Sequence, residues 1–289
     1  MKSCKETHEH CNALEDSLKT SCPTRLLEIS QTIPRLVCPP AGAHLAYTAL
    51  SHCWGGGLPI KTISSNFLDH QAGIDMSSLP QTYRDAITVS RRLGIDYIWI
   101  DSLCIIQDDA EDWAREASRM ASVYEGAQIT VVAAWGRDGS SGCFHHPKPT
   151  LVIEAFEKNN QSTSGTVTTK RLFLRPRPDT RFLKRSHLST RAWTFQEVSL
   201  SRRVVVFSDD QLYWQCTTLL ESEDKLVSAN HLEGINNALP SLGLTIRQAE
   251  LPTWDLYYEW GMACDAYARR QLTFPKDKFA ALAGVTQVF

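Results

Sequence analysis

The chain has 289 residues, 43% of them hydrophobic and 21% charged, with a formal net charge of −2. That is enough apolar material for one sizeable core, and the near-neutral balance offers no field to draw in nucleic acid or an anionic membrane. The polar start lacks the apolar run of a secretory leader, and no stretch reaches the roughly 18 apolar residues of a membrane span, so a cytoplasmic protein is expected.

Residues 1–30 read as an N-terminal polar leader, and 31–289 as a single domain. Cys4, His8, His10, Cys11 and Cys22 lie in the leader, but they lack a C-x-x-C or H-x-x-x-H spacing, so no metal site is assigned. The nine cysteines are odd in number and several sit in apolar runs, which fits reduced, buried thiols better than a disulfide framework. Residues 25–29 (RLLEI) suit a short strand or a helical turn. Pro34, Pro39 and Pro40 then break any long element.

The first clear strand is 46–53, AYTALSHC, which leads into Trp54 and Gly55-Gly56-Gly57. Glycines there allow a sharp exit or a close approach of backbone to a ligand. Ser78 and Gln81 have the form of a capping box. Behind them Tyr83, Ala86, Ile87, Ser90 and Leu93 recur on one helical face until Gly94. The run YIWIDSLCII (97–106) opens as a strand buried on both faces, and Asp101 interrupts it. Asp108 and Glu111 form a second cap-like pair before a helix over 109–125, and 128–135 (QITVVAAW) is another strand. Strand, helix, strand, helix, strand over 46–135 implies a mostly parallel sheet with crossover helices.

Residues 136–150 read as loop, 151–156 as a strand, and 157–169 as a flexible polar stretch. Residues 171–185 are basic, which suits a solvated face or a phosphate contact. Residues 191–198 (RAWTFQEV) resemble a helix start with Ser189 or Thr190 as cap. RVVVF (203–207) and QLYWQC (211–216) form a hairpin. Helical spacing returns over 254–268 and 277–289. The last helix runs to Phe289 without a cap or polar tail, so the chain is expected to continue in a longer protein.

The fingerprints of P-loop, dinucleotide-binding, zincin and serine-hydrolase sites are absent. What remains is polar residues at the ends of hydrophobic elements, where open α/β sheets bind ligands. Ser51, His52, Trp54 and Gly55 end one strand; Asp101, Ser102 and Cys104 end the next; Glu197 follows on a later helix. Asp101 either fixes the strand exit through backbone N–H bonds or orients a ligand hydroxyl. Cys104 and His52 together have the composition of a nucleophile and its base, or Cys104 is an inert core residue.

Three ordered blocks carry a resemblance: AYTALSHCWGG (46–56), the long block 79–134, and STRAWTFQEVSLSRRVVVF (189–207) with its R-x-W-T-x-Q-E signature. They resemble fungal heterokaryon-incompatibility domains, as does the closing segment from Trp254 through 277–285. His52 stands where that family usually has tyrosine, and Phe195 where it often has leucine. The resemblance implies an effector of programmed cell death in fungal self/non-self recognition. It also implies an α/β, flavodoxin-like or TIR-like, mostly parallel sheet with flanking helices, elaborated by the hairpin and C-terminal helices.

Some TIR domains hydrolyse NAD through a W-x-x-x-E glutamate, and Trp193 and Glu197 have that spacing. On this resemblance Glu197 is the catalytic candidate and Asp101 its assistant. Ser51, Trp54, Gly55, Arg191 and Trp193 would face NAD or a related nucleotide, with no cofactor required. The same Arg191, Trp193 and Glu197 also suit a purely structural set. A non-enzymatic scaffold acting through homo-oligomers or a partner signalling protein is the alternative.

Overall fold

The computed structural model describes residues 1–9, 11, 22–57, 60–144, 151–158, 167–174, 186–230, 253–287 and 289. Its strands are β1 (Leu26–Glu28), β2 (Arg35–Val37), β3 (Tyr47–Ser51), β4 (Tyr97–Trp99), β5 (Ile129–Ala133), β6 (Leu151–Lys158), β7 (Val167–Leu174), β8 (Arg203–Phe207), β9 (Leu212–Cys216), β10 (Leu219–Ser222) and β11 (Ser228–Asn230). One sheet takes nine of them in the order β11-β10-β9-β8-β5-β3-β4-β1-β2, and β6 and β7 pair separately. The central four, β4-β3-β5-β8, are parallel. The outer strands join antiparallel, among them the expected β8–β9 hairpin. The chain adds β4 on one side of β3 and then crosses to add β5 on the other, so strand order reverses at β3.

β3 and β5 are buried at every residue, which explains why their sequences carry no polar-out alternation. The alternate side chains serve two cores. Leu50, Ile98, Val131 and Ala133 pack with Tyr83, Ala86 and Ile87 of the Gln81–Arg92 helix. Tyr47, Ala49 and Trp99 pack with Met120, Val123 and Tyr124 of the Ala110–Gly126 helix. The few polar residues inside the strands bond across to the covering elements. Thr48 Oγ1 lies 2.6 Å from Ser90 Oγ, and Thr130 Oγ1 lies 2.6 Å from Ser201 Oγ. The Thr194–Ser199, Thr253–Ala268 and Ala280–Thr286 helices build a third cluster around Phe195, Tyr267 and Val285.

Several local expectations change. The Ser78–Gln81 capping box does not form: Pro80 is the N-cap, and Asp75 instead caps a short turn by accepting from Ser77 N. Asp109, not Asp108, caps the next helix, accepting from Glu111 N and Asp112 N, while Asp108 accepts from Ser64 N. The 191–198 segment becomes helical only at Thr194, because residues 188–190 form a tighter turn first. β1 joins the sheet from inside the expected leader, and Arg25 just before it is buried. Its guanidinium bonds Asp112 (2.5 Å) and Cys104 O (2.6 Å). His10, residues 12–21 of the leader, the polar stretch 159–166 and the basic stretch 175–185 lie outside the described residues.

Candidate functional site at the strand ends

In open α/β sheets, ligands bind beyond the C-terminal ends of the strands that flank a reversal of strand order. β3 ends there at Ser51, and β4 leads through Ile100 to Asp101, the first residue of the short Asp101–Cys104 helix. The Thr194–Ser199 helix packs against β3 and presents Glu197. Ser51 Oγ donates to Glu197 Oε2 at 2.6 Å across 146 residues of chain. Trp54 Nε1 donates to Asp101 Oδ2 at 2.8 Å, and Ser102 N donates to Asp101 Oδ1 at 2.7 Å. Asp101 therefore does accept a backbone N–H, and it also holds the first tryptophan beyond the strand.

Arg191 ties the two halves together. It donates through Nη1 to His52 O, and its guanidinium carbon lies 5.7 Å from the centroid of the Trp54 ring. Ser51 and Glu197 are buried, whereas Asp101, Trp54 and Arg191 are half-buried. The site thus has a closed floor and a more open rim.

Burial dominates the electrostatics. It pushes the Glu197 carboxyl up from 4.5 to about 7; Asp101 adds to the rise, while Arg191, Ser51 and Arg270 oppose it. Asp101 is pushed up from 3.8 to about 6 by burial, against Arg191, Ser102 N and Trp54. Two carboxyl groups that titrate near neutrality at the end of a sheet are the kind of perturbation that catalytic sites concentrate. Either group can hold or accept a proton near pH 7, and each, once ionised, places negative charge among buried groups.

The other sequence candidates distribute unevenly. Gly55 has φ +75°, and a Cβ there would sit 2.5 Å from Asp138 Cβ, so glycine is required to turn the chain out of β3 past the 138 loop. Trp193 packs edge-on against Trp113, with ring centroids 6.3 Å apart, and its Nε1 donates to Asp277 Oδ2 at 3.4 Å. Those contacts direct it toward the C-terminal helices rather than toward Trp54. His52 and Cys104 are not brought together as base and nucleophile. His52 Nε2 meets Tyr83 Oη at 3.1 Å on one side of the sheet, and Cys104 packs with Trp99 and Met120 on the other. Burial holds His52 down near 3 and pushes the Cys104 thiol up to about 12, so neither ionises near neutrality.

Residues not singled out as site candidates complete the surroundings. Tyr83 Oη also lies 2.7 Å from Ser102 Oγ, linking the Gln81–Arg92 helix to the start of the Asp101 helix. Tyr124 Oη donates to Leu50 O at 3.2 Å beneath Glu197. Arg270 donates to Thr194 Oγ1 (2.7 Å) and Arg191 O (3.2 Å), and its guanidinium lies over Phe195. The helical periodicity placed Tyr83 in the core and gave its hydroxyl no partner. Arg270 comes 73 residues after Glu197, in a segment with no motif of its own. Among the described residues the carboxylate pair does not belong to a convergent set of metal ligands; such a set occurs elsewhere, at the N-terminal helix.

A family model described as "Heterokaryon incompatibility protein (HET)" matches residues 47–197, just over half of the chain, from the first residue of β3 to Glu197. No curated protein matches the chain, and no solved structure does.

Proposed function

The chain belongs to the heterokaryon incompatibility family, and from that membership we propose that it is a cytoplasmic cell-death effector domain that hydrolyses NAD at the nicotinamide–ribose bond. The observation that carries this reading is Glu197: a buried carboxyl tuned to about 7, anchored by Ser51, beside a second raised carboxyl and an arginine. The parallel strands β4-β3-β5-β8 follow one another in chain order 2-1-3-4, the order of a flavodoxin-like sheet, and that supports the TIR-like comparison.

In the proposed step the bond between ribose C1′ and the pyridinium nitrogen breaks with its electron pair going to nicotinamide, which leaves neutral. Positive charge develops on the ribose. The Glu197 carboxylate stabilises it from close range in low dielectric, and Asp101 accepts from the ribose hydroxyls. Water adds to C1′ and releases its proton to a carboxylate, giving ADP-ribose, nicotinamide and a proton. Arg191 faces the pyrophosphate, with Trp54 as a stacking surface at the rim. Gly55 keeps the backbone low there, and Trp193, at the N-cap of the Glu197 helix, anchors that helix through Trp113 and Asp277.

A second reading has its own support. Trp254, Tyr257, Tyr258 and Met262 are exposed along one side of the Thr253–Ala268 helix, with Trp254 80% exposed, and such a stripe suits a self-association surface. On that reading the domain kills by assembling, without turnover. Expression in a fungal host separates the two: the native chain should deplete cellular NAD and arrest growth, and Glu197→Gln should do neither at equal protein level. Growth arrest by the Glu197→Gln chain, abolished instead by Trp254→Glu, would establish the assembly reading in its place.

A further inference from the structure

A second constellation lies at the opposite end of the sheet. Cys4 and His8 are one helical turn apart at the Lys2–Thr7 helix and its C-cap, and Cys11 follows three residues later. They meet Cys216, the last residue of β9, which pairs with Arg203, the first residue of β8. Cys216 therefore sits at the N-terminal edge of the parallel strands, away from Asp101 and Glu197. One ligand-type atom from each of Cys4, His8, Cys11 and Cys216 lies within 4.8 Å of every other. His8 Nδ1 is 3.4 Å from Cys216 Sγ and 4.0 Å from Cys11 Sγ.

We propose that Cys4, His8, Cys11 and Cys216 form a structural zinc site that fastens the N-terminal helix to the edge of the sheet. A tetrahedral zinc with sulfur at about 2.3 Å and nitrogen at about 2.0 Å sets its ligand atoms roughly 3.5–3.8 Å apart, and the observed spacings bracket that range. Three thiolates and one imidazole are a recurring structural zinc set, with every position filled by protein and none left for a substrate.

The surroundings match the charge and hydrogen-bonding needs of such a centre. Cys4, Cys11 and Cys216 are all buried and pack as one cluster, with Trp214 and Leu219 over it. Three thiolates around a dication leave one unit of negative charge. The buried Arg203 guanidinium supplies the opposite charge, donating from Nε to Cys4 Sγ at 3.3 Å and from Nη2 to Cys11 O at 3.5 Å. Thr217 Oγ1 lies 2.9 Å and Thr218 Oγ1 3.6 Å from Cys11 Sγ, so hydroxyls are placed to donate to a metal-bound sulfur. Binding releases one proton from each thiol and involves no change of oxidation state. The sequence alone gives only the incomplete Cys4-x3-His8-x2-Cys11 run; the fourth ligand arrives from 205 residues further along the chain.

The test uses the full chain purified under reducing conditions without an affinity metal, then dialysed against micromolar zinc. Elemental analysis should find about one zinc per chain. Exchange with cobalt should give the intense visible absorption of a tetrahedral thiolate site. His8→Ala removes a half-buried ligand without disturbing the packed thiols, and it should weaken zinc binding by more than about tenfold. Cys216→Ser should abolish the cobalt band, and the exposed Cys38→Ser should change nothing. Absence of stoichiometric zinc in the folded parent, equal binding by His8→Ala and Cys216→Ser, or a Cys11–Cys216 or Cys4–Cys216 disulfide in the fresh protein would each overturn the proposal.

Discussion

Glu197 makes a prediction about stability that is independent of any substrate. The folded chain holds its carboxyl proton up to about pH 7, whereas an unfolded chain releases it near 4.5. Between those values the folded state binds more protons than the unfolded one, so stability falls as pH rises through the window and levels off above it. The difference corresponds to roughly 3 kcal/mol lost by pH 8 and none below pH 4.5. Glu197→Gln removes the titration while keeping an oxygen to accept from Ser51 Oγ.

The variant should match the parent within about 1 kcal/mol at pH 5 and exceed it by up to about 3 kcal/mol at pH 8. With a urea slope of about 3 kcal/mol/M for a chain of this size, the pH 8 unfolding midpoint rises by about 1 M. Tryptophan fluorescence through urea titrations at pH 5, 6, 7 and 8 reads this directly. Asp101, raised to about 6, leaves the variant a smaller residual slope of the same sign. A parent whose midpoint is flat from pH 5 to 8, or a variant that tracks the parent throughout, would refute the claim that Glu197 is buried and strained in its charged form. A stabilising substitution at a residue proposed to be essential is the expected signature of a site built at the expense of the fold.

Arg191 lowers both carboxyl groups, so Arg191→Met should move the pH midpoint of nicotinamide release upward as well as reduce it; a pH–rate profile with an unmoved midpoint would contradict that role. Gly55→Ala meets both a left-handed φ and Asp138, and should cost about 2 kcal/mol in chemical denaturation, whereas Gly56→Ala, with open space at its Cβ, should stay within about 0.5 kcal/mol. Arg25→Met removes the buried partner of Asp112 (2.5 Å away) and Glu116 (3.6 Å), leaving them the exposed Arg115 as counter-charge, and should cost roughly 3 kcal/mol at pH 7, with part of the loss recovered on acidification.

The parallel centre of the sheet was legible because β3 and β5 are short, mostly apolar runs and the helices between them carry a clear period. The same pattern placed Asp101 at the exit of β4 and Glu197 on a helix. What the sequence left open was whether those ends converge, since the Ser51–Glu197 bond joins residues 146 apart. Helix starts were misassigned where several acceptors compete: Asp75 and Asp109 act within their own turns, while Ser78 and Asp108 bond elsewhere. β1 was ambiguous in sequence because a three-residue strand has no period to detect. Arg270 and Cys216 were invisible for a different reason: their importance comes from partners brought to them by the fold.

The most direct measurement is nicotinamide release from NAD by the purified chain, run beside Glu197→Gln at concentrations that allow self-association. The parent should turn NAD over, and turnover should be lost in a variant that remains folded and, at pH 8, is the more stable of the two. Nicotinamide release that persists in folded Glu197→Gln, or that never appears in the parent under conditions where its growth-arrest activity is intact, would contradict it.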